Sequence, residues 1–185
     1  MIGELLETFL QNPGRGSFLA LRSAWLELPD IDPYTRELDE VPEMIMGERY
    51  GDALNLIRKH ISPQYLLNPR THMHLAMCRE NTGDESGAKF ERYFAFSLLD
   101  GIKSTGDGSE DRPFLVTRTS DEYDYLMAEG IRPAEQALIK ADDGRKLDQM
   151  TMEDGRVLYF DVTEIYNIMD RKFGGGSFEE PSGLS

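Results

Sequence analysis

The hydrophobic spacing of this chain changes once, between positions 105 and 113, and no other feature limits the fold as much. Before the break, apolar residues recur every three or four positions, as on helices; after it they alternate or run in short blocks, as on strands. Ile2, Leu5, Leu6, Phe9 and Leu10 share one helical face, and Asn12-Pro13-Gly14 stops that helix. Ser17 is placed to cap a second helix carrying Phe18, Leu21, Trp25 and Leu28. Residues 29–34 (PDIDPY) form a rigid connector, because two prolines fix their own φ and restrict their neighbours. A helix is expected over 35–46, interrupted by Pro42. Three more follow: one opening at Arg49, one after Asn68-Pro69, and one over 85–102.

Past the break, residues 114–119 (FLVTRT) predict a strand rich in β-formers. Ser120 then predicts a cap for a helix with Asp121 and Glu122 in its first turn, where the helix dipole favours acids. Strands are predicted over 136–140, 146–152 and 157–162, with Asp154-Gly155 as a tight hairpin turn between the last two. Thr163 starts a last helix carrying Ile165, Ile168 and Met169, and the tail over 174–185 (GGSFEEPSGLS follows Gly174) reads as a disordered linker. The fold class expected is α+β: N-terminal helical hairpins over 1–102, packed on a small, mostly antiparallel sheet with one or two helices over 103–173, the two halves sharing a core.

The chain carries 34 acidic and 20 basic residues, a net charge of −14. Both halves are acidic: 16 acids against 10 bases up to Gly101, and 18 against 10 after it. Such a surface repels phosphate backbones and anionic membranes and steers basic proteins, so no nucleic acid and no membrane are expected as partners. The first residues, MIGELLETFLQ, lack the basic start of a signal peptide, and no run is long enough to span a bilayer, so a cytoplasmic location is expected. Cys78 stands alone, which leaves no internal disulfide and no cysteine zinc site; it falls in a helical apolar pattern and is expected as a small buried hydrophobe.

Ala53 and Ala88, 35 positions apart, each follow a Gly-Asp pair or a near equivalent, and Leu75, Ala76 and Ala95 fall where paired helices need large and small residues. The pattern resembles the roughly 34-residue tetratricopeptide repeat. A second resemblance covers about 21–173. It rests on Gly106-Asp107-Gly108, on Glu122-Tyr123 and on Tyr159-Phe160-Asp161, with Asp32-Pro33-Tyr34, Gly83-Asp84 and Gln136-Ala137-Leu138 in the same order. On these motifs the chain is similar to a bacterial domain-of-unknown-function family, number forty-nine nineteen. That resemblance implies the fold boundaries and supplies no chemistry.

Two groups of residues are candidates for a site. The loop Gly106, Asp107, Gly108 with Asp111 has the glycines to present N–H groups to a ligand or partner, but lacks the Lys-Ser/Thr of a phosphate loop, and its acids repel phosphate. A plain turn is the competing reading. Glu122 and Tyr123, with Tyr159 or Asp161, are expected to form a buried polar cluster; paired carboxylates can share a proton. The competing reading there is dipole stabilisation by Asp121 and Glu122. His72 and His74 diverge by about 200° on a helix, so no metal site is expected from them, and solvated or capping roles are expected for His60, His72 and His74.

No catalytic set and no cofactor motif stands out. The expected function is therefore a non-catalytic, acidic protein-interaction module with a basic protein partner, in its sharper form an immunity-type antagonist. The alternative is an enzyme or small-ligand sensor with a pocket between the halves.

Overall fold

The computed structural model describes residues 1–173, so the expected disordered tail over 174–185 lies outside the described residues. The helices α1 (Ile2–Gln11), α2 (Arg15–Leu26), α3 (Val41–Met46), α4 (Tyr50–His60), α5 (Pro69–Asn81) and α6 (Glu85–Thr105) come first. Strand β1 (Phe114–Leu115), helix α7 (Ser120–Ala128), strands β2 (Pro133–Lys140), β3 (Lys146–Met152) and β4 (Val157–Asp161), and helix α8 (Thr163–Phe173) follow. The fold is α+β, and the sheet is mixed: the order is β1-β4-β3-β2, with two antiparallel pairings and β1 parallel to β4.

Caps set the central hairpin. The Asn68 side chain accepts from Thr71 N and starts α5, with Pro69 in the first turn where a missing N–H costs nothing. The Asp84 side chain accepts from Gly87 N and starts α6. Gly101 lets α2 approach α6, since a Cβ there would lie 2.5 Å from the Phe18 ring. The main core joins both halves: Phe9, Phe18, Trp25, Phe94 and Leu98 pack with Phe114, Met150, Phe160 and Ile165. A smaller core of Val41, Ala53, Leu54, Ile57, Leu75 and Cys78 lies under α4. The helices that hold Ala53 and Ala88 differ in length, 11 residues in α4 against 21 in α6.

Local expectations change where tertiary bonds win. Ser17 does not cap α2: Gly14 takes that position, and the Ser17 hydroxyl donates to Asn12 O at 2.8 Å. The helix expected over 35–46 shrinks to Val41–Met46, with Pro42 in its first turn rather than interrupting it. The carbonyl of Thr35 is taken by the Tyr65 hydroxyl and Arg118 instead of a helical N–H. Ser120 likewise is not the cap of α7 but its first residue; Thr119 takes the cap position, with no side-chain cap bond.

The strand expected over 114–119 stops after Leu115, for a clear reason. Val116 O accepts from Arg22 at 3.1 and 2.9 Å, and the N–H groups of Thr117 and Arg118 donate to the Asp121 carboxylate. Strand β2 starts three residues earlier than expected, at Pro133. In the sheet, Gln136, Leu138, Asp148, Met150, Leu158 and Phe160 share the face toward the core, while Leu147, Gln149, Tyr159 and Asp161 alternate to the other face.

Candidate functional site

Helix α7 is the junction, and its successive acids serve two different neighbourhoods. Asp121 is fully buried. It accepts from Thr117 N at 3.0 Å, Thr117 Oγ1 at 2.6 Å, Arg118 N at 2.9 Å and Asn68 Nδ2 at 2.9 Å. Burial pushes its pKa up, and these donors and the Arg118 charge pull the other way. Because Asn68 also caps α5, one amide ties α5 to α7. Asp124, one helical turn on, pairs with Arg70 Nε at 2.6 Å; burial still lifts its pKa to about 6. Arg118 closes this side: it donates to the carbonyls of Asp32, Gln64 and Thr35 and lies 4.6 Å over the Tyr65 ring.

The other side of α7 holds Glu122, fully buried, against the sheet. Gln136 Nε2 lies 3.4 Å from Glu122 Oε2 and donates to Asp148 Oδ2 at 2.9 Å; the Tyr123 hydroxyl donates to Gln136 Oε1 at 2.5 Å. Glu122 Oε1 meets no N–H or hydroxyl donor. Its neighbour is the Asp148 carboxyl, with which Glu122 shares a hydrogen bond. A bond between two carboxyls requires a proton. Burial first, then the Asp148 charge, raises the Glu122 pKa to about 10, so the acid keeps its proton at pH 7; burial raises the Asp148 pKa as well. Tyr34 and Tyr166 complete the cluster: the two hydroxyls are hydrogen-bonded, and burial raises the Tyr34 pKa.

Of the four residues expected in this cluster, Glu122 and Tyr123 are brought together. Tyr159 and Asp161 are not, because strand alternation turns them to the opposite face. Tyr159 instead donates its N–H to Gly108 O at 2.9 Å, and Asp161 Oδ1 accepts from Thr163 N at 2.9 Å. Asp148, Gln136 and Tyr34 were the residues sequence reasoning missed. Asp148 left a signal, since it falls in phase with Met150 and Met152 on the apolar side of its strand.

The Gly106–Gly108 loop is a tight turn. The N–H groups of Asp107 and Gly108 both donate to Arg112 O, and Ser109 N donates to Asp107 Oδ1. The three N–H groups an anion would use are thus engaged within the turn. Gly106 is pressed against the chain, with Arg112 O 2.2 Å from where a Cβ would sit, and Gly108 has φ +78°. Hydrogen bonds from Ser109 hold the exposed Asp107 carboxyl below its usual pKa, and Asp111 is exposed in the same loop.

His72 departs from its expected solvated or capping role: it is buried, with Nδ1 2.7 Å from Glu91 Oε2 and Nε2 2.9 Å from Leu66 O. His74 lies on the same helix, its pKa lowered to about 4 by burial and then by Arg70, and His60 lies 3.6 Å from Glu37. Among the described residues, no three His, Cys, Asp or Glu side chains converge on a common point. Cys78 is buried, as its pattern predicts. Among the described residues no helix is long and apolar enough to cross a membrane.

Beside the cluster, between the outer face of α7 and the start of β2, lies an open depression of about 460 Å³, bordered by Tyr123, Met127, Arg70 and Arg132. The family model described as Domain of unknown function (DUF4919) matches residues 34–171, the family to which the Gly-Asp-Gly, Glu-Tyr and Tyr-Phe-Asp motifs pointed. No curated protein and no solved structure matches the chain.

Proposed function

We propose that this chain, which belongs to the family described as Domain of unknown function (DUF4919), is a non-catalytic protein-interaction module. The observation that carries this reading is a row of aromatics on the outside of α6: Phe90, Tyr93 and Phe96 are 49%, 46% and 54% exposed. Exposed aromatics in a row are costly in water and are enriched where proteins meet. The net charge of −14 favours a basic partner, attracted over long range. Inhibition of a basic enzyme, in the manner of an immunity protein, is the sharper form of the proposal, and a lone buried cysteine fits a reducing, cytoplasmic setting.

The test is capture of partners by the full chain at low and high salt, beside a Phe90→Ser/Phe96→Ser variant whose fold is checked by circular dichroism. A partner held at low salt, weakened at high salt and lost with the variant supports the reading. Absence of any partner at either salt, with the fold intact, removes it.

A second reading, a small-ligand sensor or enzyme, draws on one arrangement: the buried acids Glu122 and Asp148 share the Gln136 amide with Tyr123, which borders the depression beside α7. Thermal-shift screening of the wild type and Glu122→Gln with metals, nucleotides and sugars separates the two. A shift that Glu122→Gln abolishes favours the sensor, and a flat response in both proteins removes it.

A further inference from the structure

The free edge of the sheet offers a more specific mode of contact. Strand β2 is the last of the four, and among the described residues only β3 pairs with it. The direction of its main-chain groups follows from bonds at the ends of the hairpins. Ala141 N donates to Arg145 O, Val162 N to Lys146 O, and Met152 N to Arg156 O. The even-numbered residues of β3 therefore bond to β4 and the odd-numbered ones to β2. Carried through the register, Glu135, Ala137 and Ile139 bond inward to Thr151, Gln149 and Leu147. Gln136, Leu138 and Lys140 then turn both N–H and C=O outward.

Sheet edges of this kind are normally blunted by charge, proline or a bulge. Here Pro133 and a register shift guard the first residues, and Lys140 guards the last, but the stretch from Gln136 to Ile139 carries no charge. Leu138 is 39% exposed at its centre. The walls beside this edge are chemically distinct. Tyr123 and Met127 of α7 are exposed above it. At the β2 start, two arginines and no acid border the depression, in a chain whose net charge is −14. Arg70 is already paired with Asp124, whereas Arg132 has no ion-pair partner among the described residues.

We infer that the edge of β2 takes up an extended segment of a partner protein as a fifth strand, running antiparallel beside α7 and ending with a carboxylate at Arg132. This rests on the protein-interaction reading and names the segment it recognises. Main-chain bonds from Gln136, Leu138 and Lys140 would supply affinity, the Tyr123–Met127 wall would take an apolar side chain, and the arginine end would set the register. In antiparallel orientation the C-terminal end of the segment reaches Arg132. The carboxylate comes either from the chain terminus or from a terminal acidic side chain, and amidation distinguishes them.

The experiment pans a library of random decapeptides with free C-termini against the full chain, then measures the enriched peptides, free and amidated, on variants. Leu138→Pro deletes one outward N–H and leaves the β2–β3 ladder whole, a change edge strands tolerate; Leu138→Ala shortens the side chain and keeps that N–H. The expected result is tenfold or greater loss of affinity for Leu138→Pro and for Arg132→Gln, with little loss for Leu138→Ala. Loss on amidation assigns the carboxylate to the chain terminus; retention with loss in Arg132→Gln assigns it to a side chain. The proposal falls if no peptide is enriched, or if the enriched peptides bind Leu138→Pro as well as wild type. It also falls if light scattering shows a wild-type dimer that Leu138→Pro abolishes, which would give the edge to a second copy. If a partner is captured through Phe90 and Phe96 and Leu138→Pro leaves that capture unchanged, the edge proposal fails while the interaction reading stands.

Discussion

Asp121 and Glu122 are adjacent, equally buried and accommodated by opposite means. Toward the helical half, Asp121 is surrounded by donors: two backbone N–H groups, a hydroxyl and an amide. Toward the sheet, Glu122 faces another acid and one shared amide, and its carboxyl is accommodated by keeping its proton. The same low-dielectric surroundings thus push both acids toward the neutral form, opposed by converging donors at Asp121 and reinforced by a second acid at Glu122. One side of α7 is tied by four bonds donated to one carboxyl, the other by a neutral acid whose state depends on pH.

The largest expected effect comes from breaking the donor-rich side. Asp121→Ala would leave the Thr117 and Arg118 N–H groups buried without an acceptor and remove the shortest bond of the Asn68 amide, and about 3–5 kcal/mol of stability should be lost in urea unfolding. Loss equal to that of Glu122→Gln would erase the contrast between the two acids.

The proton-keeping side predicts a slope rather than a loss. Glu122 has a folded pKa of about 10 against an unfolded value near 4.5, so the folded state holds the extra proton. Its contribution is fully present below the unfolded value and is lost as pH rises toward 10. Asp124 and His74 titrate below pH 7, with opposing signs, and Cys78, its thiol raised by burial, adds to the slope at the top of the range in wild type and variant alike, so the effect of Glu122 is read as the difference between the two proteins from 7 to 10. There the wild type should lose up to about 1.4 kcal/mol per pH unit, and Glu122→Gln should flatten the curve. Equal slopes in the two proteins would show that Glu122 is ionised in the fold.

Smaller effects sharpen the comparison. Asn68→Ala removes a donor to Asp121 and the cap of α5 together, and about 1–2 kcal/mol should be lost, with hydrogen exchange rising in the first turn of α5. Tyr123→Phe removes a bond to Gln136 from a side chain that is 42% exposed, and about 0.5 kcal/mol or less is expected. A larger loss there would mean that the acid pair depends on its outer tyrosine.

The parts of the fold that local chemistry decides were legible in the residues. Asn68-Pro69 marks the start of α5, Gly83-Asp84 the start of α6, and Asp154-Gly155 the last hairpin, where Gly155 has φ +84°. What escaped was decided by side chains distant in sequence. Residues 116–119 have strand propensity, yet Arg22, 94 positions before Val116, takes the carbonyl and Asp121 takes the next two N–H groups. Residues 35–40 lose their helix to Tyr65 and Arg118 in the same way. The candidate cluster was half legible. An acid and a tyrosine at 122 and 123 could be singled out from a helix start, but their true partner, Asp148, sat in the apolar phase of a strand that reads as ordinary alternation.

The grip of Arg118 has a consequence for how the molecule comes apart. Its guanidinium joins the carbonyls of Asp32, Thr35 and Gln64, so the proline-rich connector, the turn before α5 and the start of α7 open as one cooperative unit or not at all. A protease that nicked the connector would release no fragment: both pieces would co-elute until denaturant loosened the arginine's hold, the Gln64 and Tyr65 bonds to the connector and the buried apolar packing beneath them.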